Sequence, residues 1–484
     1  MAVVPGAGAR AKLAAGKALR ASVPRSSHGG WTAAPDRADP VAVIAASNAG
    51  RLERLVPIRM ERMAESAFGF YRGAAAIMAA DLAPTPVSGL NVQLSGDAHC
   101  MNFGGFATPE RNLLFDINDF DETMPGPWEW DLKRLVASIV VAARHNAFSP
   151  RDAEVAALAA AQAYRSRMHE LAAASALEVW YARLDAAKIL DAARSAGARR
   201  RRGRIRDQAA TDSVRAAVAK FTHVVDGTHR FADDPPLLYH SVATDDDDFD
   251  IAEIVGTYAW NLAPDVQVLL DRYTLLDAAI KVVGVGSVGT RCAVALFAAD
   301  DDDAFILQIK EALPSVLAAH LGPSEFENHG ERVVRGQRVM QAASDVFLGW
   351  ALSGTRSFYV RQFRDMKTSA DLEAMDAYQL REYAHYCAWA LAGAHARSGD
   401  AAAIAGYVGK SSVLDRALLA FALDYADQND RDYARFAASV KSAANAASDA
   451  AVAPVPPRKT EAGGMGRAVN VGGTSSQPAS DGAS

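Results

Sequence analysis

Gly96-Asp97-Ala98-His99-Cys100-Met101-Asn102, followed by Phe115-Asp116-Ile117-Asn118-Asp119-Phe120-Asp121, is the stretch on which the reading of this chain turns. An Asp with an Asn five positions later sets a carboxylate that can accept a hydroxyl proton beside an amide oxygen that can hold magnesium. That spacing suits phosphoryl transfer. Asp97 is then the base, Asn102 a metal ligand, and Asp119, on a strand after a short hairpin, the second metal ligand. Asp and Asn also stabilise turns through their own side chains. The second stretch tilts the reading towards chemistry, because Asp116 and Asp119 stand among Phe115, Ile117 and Phe120, and carboxylates in apolar company need a cation or a hydrogen-bonding partner. A strand period of two puts Asp119 and Asp121 on one side, so Asp121 or Asp116 is expected at the same ion or at a second one. His99 reads as a brace of the loop.

Outward from this stretch, residues 87–94 lead into the Gly-Asp loop, and 103–108 with 113–120 read as a hairpin around the turn Pro109-Glu110-Arg111-Asn112. Residues 128–221 are helical in pattern and show no further chemistry, Asp131 lying near one helix start. Downstream, a strand over 279–283, the loop Gly284-Val285-Gly286-Ser287-Val288-Gly289 and a strand over 291–298 precede an acidic turn and a strand over 304–311 that carries Lys310. A helix over 325–344 and strands over 347–353 and 357–364 complete this unit. Glycines between two strands let backbone amides approach phosphate oxygens, and a lysine on the next strand reaches the same phosphates. Gly284, Gly286, Ser287, Gly289 and Lys310 are the expected nucleotide contacts. An ammonium in an apolar strand needs a carboxylate, for which Glu331 is the first choice and Glu327 the second.

Composition bounds the remaining possibilities. A chain of 484 residues exceeds the roughly 250–300 residues at which single cores stop growing, so two or three lobes are expected. The 50% hydrophobic fraction is inflated by alanine, a strong helix former, and the net charge of -6 offers no general attraction to nucleic acid. The basic run over 199–206 reads as a solvated face. Cys100, Cys292 and Cys387 lack disulfide or metal-knuckle spacing, and no apolar run matches an export signal or a membrane span, so a cytoplasmic protein is expected. The expected organisation is a disordered segment 1–40, a catalytic-loop and metal-site half over 41–235, a linker and helix over 236–275, a small mixed sheet with the glycine loop over 276–370, helices over 371–446 and a disordered tail 447–484. An acidic run over 245–248 marks an exposed excursion.

Several motifs resemble a bacterial family known as domain of unknown function 2252: Phe70-Tyr71-Arg72-Gly73-Ala74-Ala75, Gly96-Asp97-Ala98-His99, Asn118-Asp119-Phe120-Asp121-Glu122-Thr123, Trp128-Glu129-Trp130-Asp131-Leu132-Lys133-Arg134, Gly336-Gln337-Arg338 and Ala394-His395-Ala396-Arg397. A looser similarity links Gly96, Asp97, Asn102 and Asp119-Phe120-Asp121 to aminoglycoside phosphotransferases and related small-molecule kinases. That resemblance implies a two-lobed, protein-kinase-like α+β fold, rich in helices, with ATP and Mg2+ as cofactors. In those kinases the glycine loop precedes the catalytic loop; here it follows, which implies a circularly permuted lobe order. The expected function is an ATP- and Mg-dependent phosphotransferase acting on a small hydroxylated molecule. The alternatives are a non-catalytic nucleotide- or partner-binding scaffold and a metal-dependent phosphohydrolase.

Overall fold

Short strands flank the Gly-Asp loop because 91–127 alternates brief apolar runs with turn residues. In a computed structural model of the chain, β1 (Asn91–Leu94) pairs antiparallel with β4 (Met124–Pro127), and β2 (Phe103–Ala107) with β3 (Leu113–Ile117). The expected strand over 113–120 ends at Ile117, so Asp119 and Asp121 belong to the loop joining β3 to β4 and not to a strand face. The structure describes residues 7–186, 189, 214–240, 249–282, 288–300, 303–363 and 368–452. Gly284, Gly286 and Ser287, the basic run 199–206 and the acidic run 245–248 lie outside them.

Further along, β5 (Thr222–Val225) and β6 (Thr228–Phe231) form a hairpin. β7 (Leu238–Tyr239), β8 (Thr274–Lys281), β9 (Cys292–Asp300), β10 (Asp303–Glu311), β11 (Gly349–Ser353) and β12 (Arg356–Gln362) make one antiparallel sheet ordered β11-β12-β10-β9-β8-β7. β13 (Thr368–Ser369) pairs with β2. The five strands expected over 279–364 are all present, and Leu238–Tyr239, expected in a linker, adds an edge strand. The sheet is buried on both faces. Phe305, Leu307 and Ile309 of β10 join a cluster with Ile254 and Tyr258 of the helix Ile251–Trp260, while Ala304 and Ile306 pack with Val218 and Phe363. A strand period of two then sets Lys310 on the same face as Ile306 and Gln308.

The largest core surrounds the helices Trp128–His145, Pro150–Ala173 and Ala377–Ser398. Ala156, Ala157 and Ala160 on one helix and Ala384 and Ala388 on another are fully buried, and small side chains let helix backbones approach closely. Trp128 stacks on Tyr164 with ring centroids 5.5 Å apart. The chain is α+β and rich in helices.

The segment 1–40, expected to be disordered, instead contributes a helix, Ala7–Ala18, packed on the helix Ala401–Val408. Its alanine and glycine content is what permits the contact: a Cβ at Gly16 would lie 1.9 Å from the Ala403 carbonyl oxygen, and one at Gly406 would lie 2.2 Å from that of Leu13. Arg37 then ties the segment down through Asp81 and Asp432, each at 2.6 Å. The four inner segments expected from composition, 41–235, 236–275, 276–370 and most of 371–446, fall within one compact unit, Met1–Val440. The remainder, Lys441–Ser484, is described only to Val452, within the helix Val413–Val452. Among the described residues no helix is long and apolar enough to cross a membrane.

Candidate functional site

Gly96 opens the loop with φ +80°, and a Cβ there would lie 2.3 Å from the Glu122 carbonyl oxygen, so backbone conformation and close approach both call for glycine. The amides of Ser95 and Gly96 donate to Asp131, at 2.6 and 3.0 Å. Asp131 sits in the first turn of the helix Trp128–His145, where the helix dipole favours a carboxylate. Behind it, His395 Nε2 lies 3.3 Å from Asp131 and His395 Nδ1 lies 2.8 Å from the Tyr164 hydroxyl. A fully buried chain of polar groups thus fixes the loop from beneath.

Arg134, one helical turn beyond Asp131, donates from Nε and Nη2 to Asp97 Oδ1 at 2.6 and 2.5 Å. The same guanidinium donates to the Tyr71 carbonyl at 3.0 Å and lies 4.5 Å from the Tyr71 ring centroid. Burial pushes the Asp97 carboxyl above its ordinary range, and Arg134 offsets only part of that. His99 Nε2 stands 3.6 Å from Asp97 Oδ2, and burial, with Arg134 and Arg72 nearby, holds the imidazole well below its ordinary pKa, in the neutral form. Asn102 donates from Nδ2 to the Asp97 carbonyl at 2.8 Å, which orients the amide and leaves Oδ1 as its acceptor atom.

Lys310 meets the loop after β3. Its ammonium lies 2.8 Å from Asp121 Oδ2, and the Tyr359 hydroxyl donates to Asp121 Oδ1 at 2.6 Å. Burial opposes the Lys310 charge, but Asp121 and its neighbours more than offset this, and the ammonium is held above the ordinary lysine range. Asp121 moves the other way: burial raises it, Lys310 and Tyr359 pull harder, and it ends below the ordinary carboxylate range. The expected Lys310–Glu331 pair is therefore replaced by Lys310–Asp121. Glu331, in the first turn of the helix His329–Met340, pairs instead with Arg335 at 3.0 Å, and Glu327 lies on the exposed approach to that helix. From the same helix Arg332 reaches the loop, donating to the carbonyls of Asp121 and Thr123 at 2.8 and 2.7 Å. Asp116 turns away from the other acids and accepts from the Ala342 amide at 3.2 Å.

Asp97, Asp119, Asp121 and Glu122 line one cavity of about 310 Å³. Arg51, Arg59 and Arg72 form part of its wall. Gly289, the described end of the glycine loop, reaches the same region: its carbonyl accepts from the Leu52 amide at 2.7 Å, and the Val288 carbonyl accepts from Arg51 Nη1 at 2.6 Å. The structure thus brings together Asp97, Asp119, Asp121 and Lys310, with Gly289 nearby, and leaves Glu331 apart. Among the described residues no group of three or more His, Cys, Asp and Glu side chains is placed to hold a metal. Asp119 lines the cavity, whereas Asn102 is not among its lining residues.

The helix Trp128–His145 and the arginines are what the motif reading passed over. Glu129, Asp131, Lys133 and Arg134 are all buried, although the segment carries four charges in seven positions. Charge at that density beside Trp128, Trp130 and Leu132 was the available signal, since buried charges need partners. A family model described as an uncharacterized protein conserved in bacteria, DUF2252, matches residues 51–439. No curated protein and no solved structure matches the chain.

Proposed function

This chain belongs to the bacterial DUF2252 family, and from that premise and the geometry of the cavity we propose that it is an ATP- and magnesium-dependent phosphotransferase acting on a small hydroxylated molecule. The reading is carried by one observation: Lys310 of β10, far from the Gly-Asp loop in sequence, pairs with Asp121 at the edge of the cavity that Asp97 lines. A strand lysine, a carboxylate base and two oxygen ligands are the parts that phosphoryl transfer needs, because positioning and charge neutralisation do most of the work. In this reading the β7–β12 sheet is the nucleotide lobe of a two-lobed, kinase-like arrangement with permuted order, following the catalytic half in sequence.

Asp97 takes the proton of the acceptor hydroxyl as the oxygen attacks the terminal phosphorus and the bond to the leaving phosphate breaks. Arg134 and the Asn102 amide hold Asp97 in place, and Lys310, held by Asp121, reaches the donor phosphates. Asn102 and Asp119 would hold magnesium, which when bound neutralises phosphate charge. Asp121, expected as a further metal ligand, is assigned here to Lys310, since both of its oxygens are engaged. Calorimetric titration of the full chain with ATP and magnesium tests this: binding that weakens at least about tenfold in Lys310→Met supports it, and an absence of heat in the parent protein overturns it.

The contact between Arg134 and Asp97 favours a second reading, a scaffold that binds nucleotide without turnover, because the arginine offsets part of the basicity that burial gives Asp97. Binding without ATP consumption distinguishes the two.

A further inference from the structure

We propose that the cavity carries a built anion site, formed by Arg51, Arg59 and Arg72, that takes the phosphate group of a phosphorylated acceptor. The inference rests on the phosphotransferase reading for the word acceptor, and on the cavity alone for the anion.

The three arginines come from the chain around the helices Val56–Ala64 and Ala67–Gly73, on elements distinct from the strand that carries Lys310. Arg59 is 2% exposed, yet among the described residues its guanidinium donates only to neutral oxygens: Asn48 Oδ1 at 2.5 Å and the Gly73 carbonyl at 3.3 Å. Arg72 makes no ion pair among the described residues, and the Nε atoms of both Arg59 and Arg72 are buried without a hydrogen-bond partner. Burying a guanidinium without a carboxylate is costly, and a cavity wall that holds Arg59 in this way, with Arg72 also on it, is one prepared for an anion that arrives from outside. Burial and the nearby Arg51 charge hold Arg59 down to about 9, the direction expected of a buried cation crowded by another.

The carboxylates of the cavity act on Arg51, whereas none is bonded to Arg59 among the described residues. Asp97 is bonded to Arg134, Asp121 to Lys310, and Glu122 accepts from the Val316 amide at 2.7 Å. Forked guanidinium donors match phosphate oxygens in geometry as well as charge, and several around one cavity fit a dianion better than a single carboxylate. The position of Arg72 assigns the phosphate to the acceptor. Arg51 is bonded to Val288 at the glycine-loop end and borders the donor side, whereas Arg72 lies close enough to Asp97 to act on its charge. An acceptor anchored by Arg72 therefore presents its hydroxyl to the base.

The test titrates the full chain with inorganic phosphate and, separately, with ATP and magnesium, in the parent and in Arg72→Gln and Arg72→Lys, with circular dichroism confirming the fold. The expected result is phosphate binding weakened at least about tenfold in Arg72→Gln, less so in Arg72→Lys, with ATP affinity within about twofold of the parent, since a hydrogen bond to a charged group carries that much binding. Parent protein that does not bind phosphate, or Arg72→Gln that binds it unchanged, overturns the anion site. Equal weakening of phosphate and ATP, or phosphate displaced by ATP, overturns the acceptor assignment and gives the arginines to the donor. Phosphate binding lost in Arg72→Gln while the parent ignores ATP sustains the anion site and removes the phosphotransferase reading, so the two failures are separable.

Discussion

Asp121 ties the loop after β3 to the β7–β12 sheet through Lys310 and Tyr359, and its pairing sets a pH signature. Its carboxyl lies below the ordinary range, so its contribution to stability is complete above that range and lost as pH falls through the folded value. Lys310 lies above the ordinary lysine range, so its contribution is complete below that range and lost as pH rises through the folded value. Urea unfolding across pH should show a plateau between these limits, and Asp121→Asn should flatten both limbs. Asp121→Ala leaves a buried ammonium unpaired and should cost about 3 kcal/mol. Glu331→Gln, on the exposed pair with Arg335, should stay within about 0.5 kcal/mol. Equal effects of the two would contradict the pairing described here. Gly96→Ala should lower stability by at least about 2 kcal/mol, from the positive φ and the contact with the Glu122 carbonyl.

Among the elements, the helix Trp128–His145 does most to shape the site, with Asp131 holding the loop amides and Arg134 holding Asp97. Asp131→Ala should cost about 2 kcal/mol in stability by leaving two amides without an acceptor, and should speed amide exchange at Ser95 and Gly96, measured by hydrogen exchange with mass spectrometry. Unchanged exchange there would remove the helix from the account. Local pattern made part of this legible. The short hairpin, the strands over 279–364 and a helix within 325–344, found at His329–Met340, all follow from turn chemistry and periodicity, which act within a few residues. Partner choice did not follow. Glu331 is an acid on the expected helix after the Lys310 strand, but Asp121 is the partner in space, because the loop after β3 packs against β10 and β12. Likewise no local pattern marks Arg59, which other elements bury.

At the scale of the molecule, residues 1–440 form one compact unit in which the N-terminal segment is integral. Alanine and glycine there look like the composition of a disordered end, yet the same small side chains permit the close contact of Ala7–Ala18 with Ala401–Val408. Removing residues 1–38 should lower the midpoint of thermal unfolding by several degrees, since it strips the Arg37 pairs with Asp81 and Asp432 as well as that helix contact. An unchanged midpoint would show the segment to be dispensable. The central claim is that the Asp97 loop and the sheet lysine serve one phosphoryl-transfer cavity. ATP consumption by the full chain with magnesium and a screen of phosphorylated hydroxy compounds, compared between the parent and Asp97→Asn, tests it most directly. The account predicts turnover in the parent, with ATP stabilising both proteins against heat, and a rate about 100-fold or more lower in the variant. Equal turnover in the two proteins, or ATP that stabilises neither, would contradict it.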